Sequence, residues 1–323
     1  MRRRIISVMV LMFVMLGAWQ CQAQPWKVAY GDEKGKVAVF NSKTDPKFAE
    51  DAPFGPMAFR IVGDSMWLLD SVGGKLYNFN AKNELKASIA FSGLEKNSLL
   101  EDFALVKGAS AVPETVWFAD AADCSIRKVS IANSKELLRI GGNGSAPGKF
   151  LQISQLEVDA GGRLYVGDCG RNVISVFTTY GELIRELPWQ NTGFVVDKKG
   201  RLHLLVWHET SGYLHRIYSQ QGQLIKSLHI GLGDLQNARI WSIREDGAMV
   251  VSFIPAGGFK GTLKLLVLSE DSRVLKKLEF TPPGSMNRFI EEADQKILLA
   301  VADFFAAPEG EFSVKSIEWD VTK

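Results

Sequence analysis

The sequence predicts an all-β fold, a six-bladed β-propeller of four-stranded antiparallel blades, and three observations carry that expectation. The first is residues 140–187, a stretch of under fifty residues that reads as four short strands joined by tight turns. The second is a spaced anchor. Asp70, Asp120, Asp168, Trp207, Ser252 and Asp303 each close a short apolar run, at steps of 50, 48, 39, 45 and 51 residues. A repeat of that period, built from short strands, argues a propeller rather than a sandwich. The third is that no stretch reads as a long amphipathic helix.

In the reference stretch, Gly141, Gly142, Gly144 and Gly148 with Pro147 cannot sustain a helix, so it opens as a loop. Leu156 to Asp159 alternates apolar and polar, as a half-buried strand does. Ala160-Gly161-Gly162 is a turn signal, and Leu164-Tyr165-Val166 is a β-rich run. Asp168 to Asn172 turns the chain again before Val173 to Phe177, and Tyr180-Gly181-Glu182 precedes Leu183 to Leu187. Four antiparallel strands in this space make one propeller blade.

Gly148-Lys149-Phe150, Asp159 to Gly162, Leu164 to Asp168, Asn172, Val176-Phe177 and Gly181 together resemble the NHL repeat. The likeness covers this one blade well and implies a six-bladed NHL-like or TolB-like propeller of the exported bacterial type. It speaks to fold more than to function.

In chain order, Trp26–Tyr30 and Val37–Phe40 read as two short strands, the first of which completes the last blade and removes its exposed edge. Blade one is expected at about 54–92, blade two at 98–141, blade three at 148–188 and blade four at 190–230. Blade five is expected at 236–280 and blade six at 284–320, with 26–41 supplying the closing strand. Residues 92–101 and 234–239 read as single helical turns within loops. Six blades use nearly all of the 323 residues, so 24–323 is expected to be one domain.

Residues 1–23 stand apart: Arg2-Arg3-Arg4, an apolar run from Ile5 to Trp19, then Cys21-Gln22-Ala23. This pattern reads as a cleavable signal peptide and implies a periplasmic or secreted protein. An uncleaved anchor is one alternative, although about fifteen apolar residues is short for a span, and lipid attachment at Cys21 is another, although Ala18-Trp19-Gln20 fits a lipobox poorly. Removing the three arginines takes the formal charge from +2 to −1, which argues against a nucleic-acid partner. No later apolar run reaches membrane-spanning length, so no transmembrane segment is expected after cleavage. In an oxidising compartment Cys124 and Cys169, near one rim of neighbouring blades, could form a disulfide or stay as separate thiols.

Candidate chemistry is sparse. Asp70, Asp120, Asp168 and Asp303 recur once per blade, which is the signature of a structural turn aspartate accepting backbone N–H groups. His203 and His208 sit five apart on one strand and point to opposite faces, while His215 could approach either. No metal-ligand spacing, nucleophile elbow or phosphate-binding loop is present. The remaining candidates lie near the starts of inner strands, at the mouth of the channel. Asp102, Gln155, Asn191, Arg239 and Arg288 are the expected ligand-binding set, accompanied by Glu101 and Asn287. Of Trp189, Trp207 and Trp241, any that is exposed is the best contact anchor.

The expected function is a non-enzymatic binding or scaffold propeller for a protein, peptide or small anionic ligand, with no cofactor. The alternative is a metal-dependent hydrolase or lyase, gluconolactonase-like or NHL-lyase-like, with Ca²⁺ or Zn²⁺ in the central channel. Arg239 and Arg288 would repel such a cation, and the glutamate-glycine-proline motif of the gluconolactonase-like family is absent.

Overall fold

Six four-stranded antiparallel sheets make up the protein. This computed structural model describes residues 26–45, 53–94, 98–108, 112–231, 236–255, 258–294 and 296–318. The signal-peptide segment and Cys21 lie outside them. Among the described residues no helix is long and apolar enough to cross a membrane.

The first strands of the six blades are Ala58–Val62, Leu100–Lys107, Ile153–Val158, Phe194–Val196, Gln236–Ile243 and Ile290–Ala293. These strands touch one another across blade boundaries and surround the central axis. Each sheet runs outward in chain order, to edge strands Leu85–Ala90, Glu136–Gly141, Leu183–Pro188, Leu224–Ile230 and Val274–Phe280. Blade six is closed from the other end of the chain, because Lys27–Ala29 pairs antiparallel with Glu311–Glu318. That pairing covers an edge that would otherwise be open for aggregation.

The core lies between blades. Apolar residues alternate along the strands, so each sheet presents a face to both neighbours, and the clusters span the seams. Phe59, Phe103, Trp117, Phe118, Phe150, Phe194, Phe253 and Phe312 are all nearly inaccessible. Phe150 sits edge-on to Phe177. Gly141, at φ +92°, must stay a glycine here, since a Cβ would come within 2.4 Å of the Phe150 ring.

The turn aspartates are bound to backbone. Asp168 accepts from the N–H groups of Leu151 (3.1 Å), Gln152 (3.0 Å), Gly170 (3.1 Å) and Arg171 (3.2 Å). It therefore holds both its own turn and the segment that enters blade three. Asp70 likewise accepts from Gly73 and Ala38, and Asp120 from Ala122, Ser98 and Arg127. Asp303 accepts from Phe305 N at the start of a 3₁₀ turn, Phe304–Ala306.

Three local expectations are corrected. Val37–Phe40 is not a strand: it makes isolated bridges to Tyr30 and Phe54, and its Ala38 N–H donates to Asp70 in blade one. It thus ties the ring's seam instead of lengthening a sheet. Residues 236–239 are strand rather than helical turn, and the described parts of 92–101 are likewise not helical. In blade four the pairing Leu202↔Tyr218 corresponds to Leu164↔Phe177 in blade three. Val206, not Trp207, therefore takes the place of Asp168. Without the aspartate turn the strand runs on to His208 and carries Trp207 out to the rim.

Candidate functional site

The central channel is closed by its own side chains. Arg60, on blade one, donates through Nε to Phe103 O and through an Nη to Leu156 O, both at 2.5 Å, reaching blades two and three. Its guanidinium lies 3.5 Å from Asp102 and 3.4 Å from Glu157. Arg288, on blade six, faces the same carboxylates at 3.5 and 2.6 Å and adds Glu291 at 3.2 Å. Asp102 is fully buried and also accepts from the N–H groups of Phe103 and Leu156, each at 2.8 Å. Asn287 donates across the axis to Glu101 O and Ser154 O.

These groups set one another's charge. Burial works against ionisation of Glu157, but Arg60 and Arg288 outweigh it and hold the carboxyl below its usual range. Burial also works against Arg288, whose pKa is nonetheless raised by Glu157, Asp102 and Glu291. Glu291 is pushed up to about 7 by burial, despite the two arginines. Glu101 is pushed up to about 7 by burial and by the Asp102 charge.

Glu101 gives a signed pH prediction. Its folded-state value is raised, so the folded chain binds this proton more tightly than the unfolded chain. The resulting stability is fully present below the ordinary value near 4.5 and is lost as pH rises through about 7. Glu101→Gln is therefore expected to stabilise the protein by roughly 1–3 kcal/mol at pH 8 and hardly at all at pH 5. Thermal melts at the two pH values check this, and a difference independent of pH would contradict it.

The expected ligand-binding residues divide between two places. Asp102 and Arg288 belong to the channel network. Gln155 is buried and clamps blade three to blade four, donating to Phe194 O (2.6 Å) and accepting from Phe194 N (3.3 Å). Asn191 and Arg239 instead line a cleft of about 770 Å³ between blades four and five, with Gln190, Thr192, Trp207, Tyr213, Gln236, Asn237 and Ala238.

The walls of this cleft are fixed. Trp207 is 46% exposed, whereas Trp189 and Trp241 are buried. The Gln190 amide holds the Trp207 backbone from both sides, accepting from its N–H at 2.6 Å and donating to its C=O at 3.4 Å. Tyr213 pairs with Trp207 across the strands, and their rings meet edge to face at 5.0 Å. The Tyr213 hydroxyl in turn accepts from Ala238 N, linking this wall to the strand that carries Arg239. Beneath, Gly193 lets the blades approach: a Cβ there would stand 2.5 Å from Ile240 O.

Arg239 stacks on Trp241, 4.5 Å from the ring centroid, and donates to Asn287 Oδ1 at 3.2 Å. It pairs with no carboxylate among the described residues. Burial, with the Arg288 charge beside it, pushes its pKa down to about 10 against the opposing pull of Asp102 and Glu157, so it stays a cation at the mouth of the channel network.

Two further groups were open in the sequence. Cys124 and Cys169 are free thiols, not a disulfide, directed at Leu151 O and Gln152 O respectively. His203 and His215 are buried and stacked, with ring nitrogens 3.0 Å apart, and His203 reaches Asp197 at 3.2 Å. Burial lowers both pKa values, that of His215 to about 3, so the pair is neutral and structural. His208 is exposed on the opposite side.

Arg60, Glu157, Glu291 and Tyr213 were not singled out from the sequence. A charged residue inside an otherwise apolar first strand, as in AFRIV or ISQLEV, was the available signal for the first two.

No protein-family model and no curated protein sequence matches the chain. Solved structures do. A Bacteroides fragilis protein described as a "putative exported protein" matches at 10% identity and TM-score 0.53, over 91% of this chain and 95% of that one. Virginiamycin B lyase from Staphylococcus aureus matches at 11% and 0.51, over 87% and 99%. A streptogramin B lyase matches at 10% and 0.50, over 81% and 93%. At such identities the likeness is one of fold, and by fold this chain is a six-bladed β-propeller whose N-terminal strand completes its last blade.

Proposed function

We propose that this protein is an exported, non-catalytic binding propeller that captures its ligand in the cleft between blades four and five. One observation carries the reading: a fixed, half-exposed indole lines a roomy cleft beside the exposed amides of Asn191, Gln236 and Asn237. Cavities of a few hundred to a thousand Å³ with a few placed polar groups are where small ligands bind. Among the described residues the lining holds no carboxylate, imidazole or thiol to transfer a proton or attack a bond. Of the channel carboxylates, Asp102, Glu157 and Glu291 are paired with Arg60 or Arg288. Export is supported by the basic and apolar N-terminal pattern and by the name of the Bacteroides protein of similar fold.

Thermal melts of the wild type and Trp207→Ala against a panel of small acids, peptides and oligosaccharides test this reading. The substitution itself is expected to cost less than about 1 kcal/mol, because the ring is half solvated. A compound that raises the wild-type melting temperature, leaves the variant unmoved and is recovered intact supports the reading. A compound converted to product, in a reaction abolished by chelator, would replace it with the metal-dependent lyase or hydrolase.

A further inference from the structure

Resting on that reading, we infer that the cleft takes a segment of another protein, an uncharged, proline-rich stretch bound in the extended polyproline II form. Three features of the lining point there. The first is the chain edge on the blade-five side. Gln236 and Asn237 follow one another on Gln236–Ile243, an edge strand of its sheet. From the next residue on, blade four seals that edge. The Ala238 N–H donates to the Tyr213 hydroxyl at 3.0 Å, and the Ile240 N–H donates to Thr192 O at 2.9 Å. Two residues of open edge are too few for an added strand, whose affinity comes from a run of main-chain bonds. An extended chain lying here must therefore be held by side chains.

The second is the donor set that those side chains provide. Asn191, Gln236 and Asn237 are exposed, and their amides make no hydrogen bond among the described residues. Asn191 lies on the loop entering blade four and the other two lie on blade five, so free amides flank the cleft. A polyproline II segment makes no internal hydrogen bonds and leaves its carbonyls open. Each amide brings two N–H donors to such acceptors. Proline has no N–H of its own, so a lining rich in donors suits it.

The third is the aromatic corner. The rings of Trp207 and Tyr213 meet at 62° with centroids 5.0 Å apart, and Gln190 holds the Trp207 main chain from both sides. The corner is thus formed before a ligand arrives. Two rings set at an angle make a notch for a pyrrolidine ring, as in other aromatic-lined grooves that take proline segments. Proline is already set in the bound conformation, so little freedom is lost on docking. The ligand should be uncharged at this point. Arg239, the one charged residue of the lining, turns its guanidinium to Trp241 and Asn287 at the channel.

Titration calorimetry of the purified chain with capped, uncharged probes tests this inference. The probes are a nonapeptide of proline and leucine, the same peptide with alanine for every proline, an alternating valine–threonine nonapeptide, and cellotetraose. The proline peptide is expected to bind, and the other three to be at least about tenfold weaker. Trp207→Ala should weaken the proline peptide by about tenfold or more, as loss of an anchoring aromatic does. Asn191→Gly, Gln236→Ala and Asn237→Gly should each weaken it by about two- to tenfold, the loss of one hydrogen bond. Glycine keeps the left-handed backbone of the two asparagines, at φ +56° and +49°. Phe305→Ala, which removes an exposed aromatic on blade six, should change nothing. Should Trp207→Ala fail to fold, the amide variants carry the same comparison. Equal binding of the proline and alanine peptides would overturn the inference. So would tighter binding of the valine–threonine peptide, or no peptide binding at all. Preference for cellotetraose, lost in Trp207→Ala, would overturn the peptide assignment and leave the cleft as the binding site. Binding of the proline peptide unmoved by Trp207→Ala would overturn both.

Discussion

Asp102→Ala is expected to lower the free energy of unfolding by about 3–5 kcal/mol, the size of effect seen when one partner of a buried ion pair is removed. Asp102 is fully buried on the first strand of blade two and serves four groups at once. Its carboxylate accepts the N–H groups of Phe103 and Leu156 and lies 3.5 Å from both Arg60 and Arg288. Truncation leaves two buried N–H groups unpaired and two guanidiniums sharing Glu157 and a Glu291 whose own ionisation is held back. Because Arg60 belongs to blade one, Leu156 to blade three and Arg288 to blade six, the loss is felt across the ring. The exposed pair Lys86–Glu84 is the control, and breaking it should leave the stability essentially unchanged. Urea unfolding of both variants provides the comparison. A cost below about 1 kcal/mol for Asp102→Ala would show that the network fills the channel without holding it.

Asp168→Ala should cost about 2–4 kcal/mol, because four backbone N–H groups lose a charged acceptor together. Two of the four, Leu151 and Gln152, belong to the segment leading into blade three. The expected signature is therefore local as well as global. Amide exchange should quicken at 151–152 and 170–171 well before the melting temperature is approached. Uniform acceleration over all six blades, with no excess at these positions, would contradict the assigned role.

The same aspartate explains why blade three was legible. Its turns are encoded by Asp159, the glycines after it and Asp168, all local signals, and its strands alternate cleanly. Blade four has Val206 in place of its turn aspartate, so no local signal marks the strand's end and the anchor spacing points to Trp207, one residue too far. Val37–Phe40 has the composition of a strand, but its partners come from blades one and six, and composition does not encode the ring's seam. The channel network was hidden for a related reason. Arg60, Asp102, Glu157 and Arg288 lie on four different blades, and only closure of the ring brings them together.

The candidate cleft was half visible. Trp207 and Tyr213 are cross-strand partners six residues apart, close enough to be paired from the hairpin alone. Asn191 could be placed near a strand start, but not in a cleft apart from Asp102 and Arg288. That separation depends on which side chains the channel consumes. Gln155 looked like a ligand contact because it is polar on an inner strand, and its amide is spent on the backbone of Phe194.

Hydrogen exchange in the presence of whichever panel compound most raises the melting temperature tests the central claim most directly. Binding in the cleft should slow exchange at 190–192, 207–213 and 236–239 and leave the first-strand ends at 105–107, 158–162 and 196–198 unchanged. Protection confined to those latter segments, on the opposite end of the propeller, would contradict it.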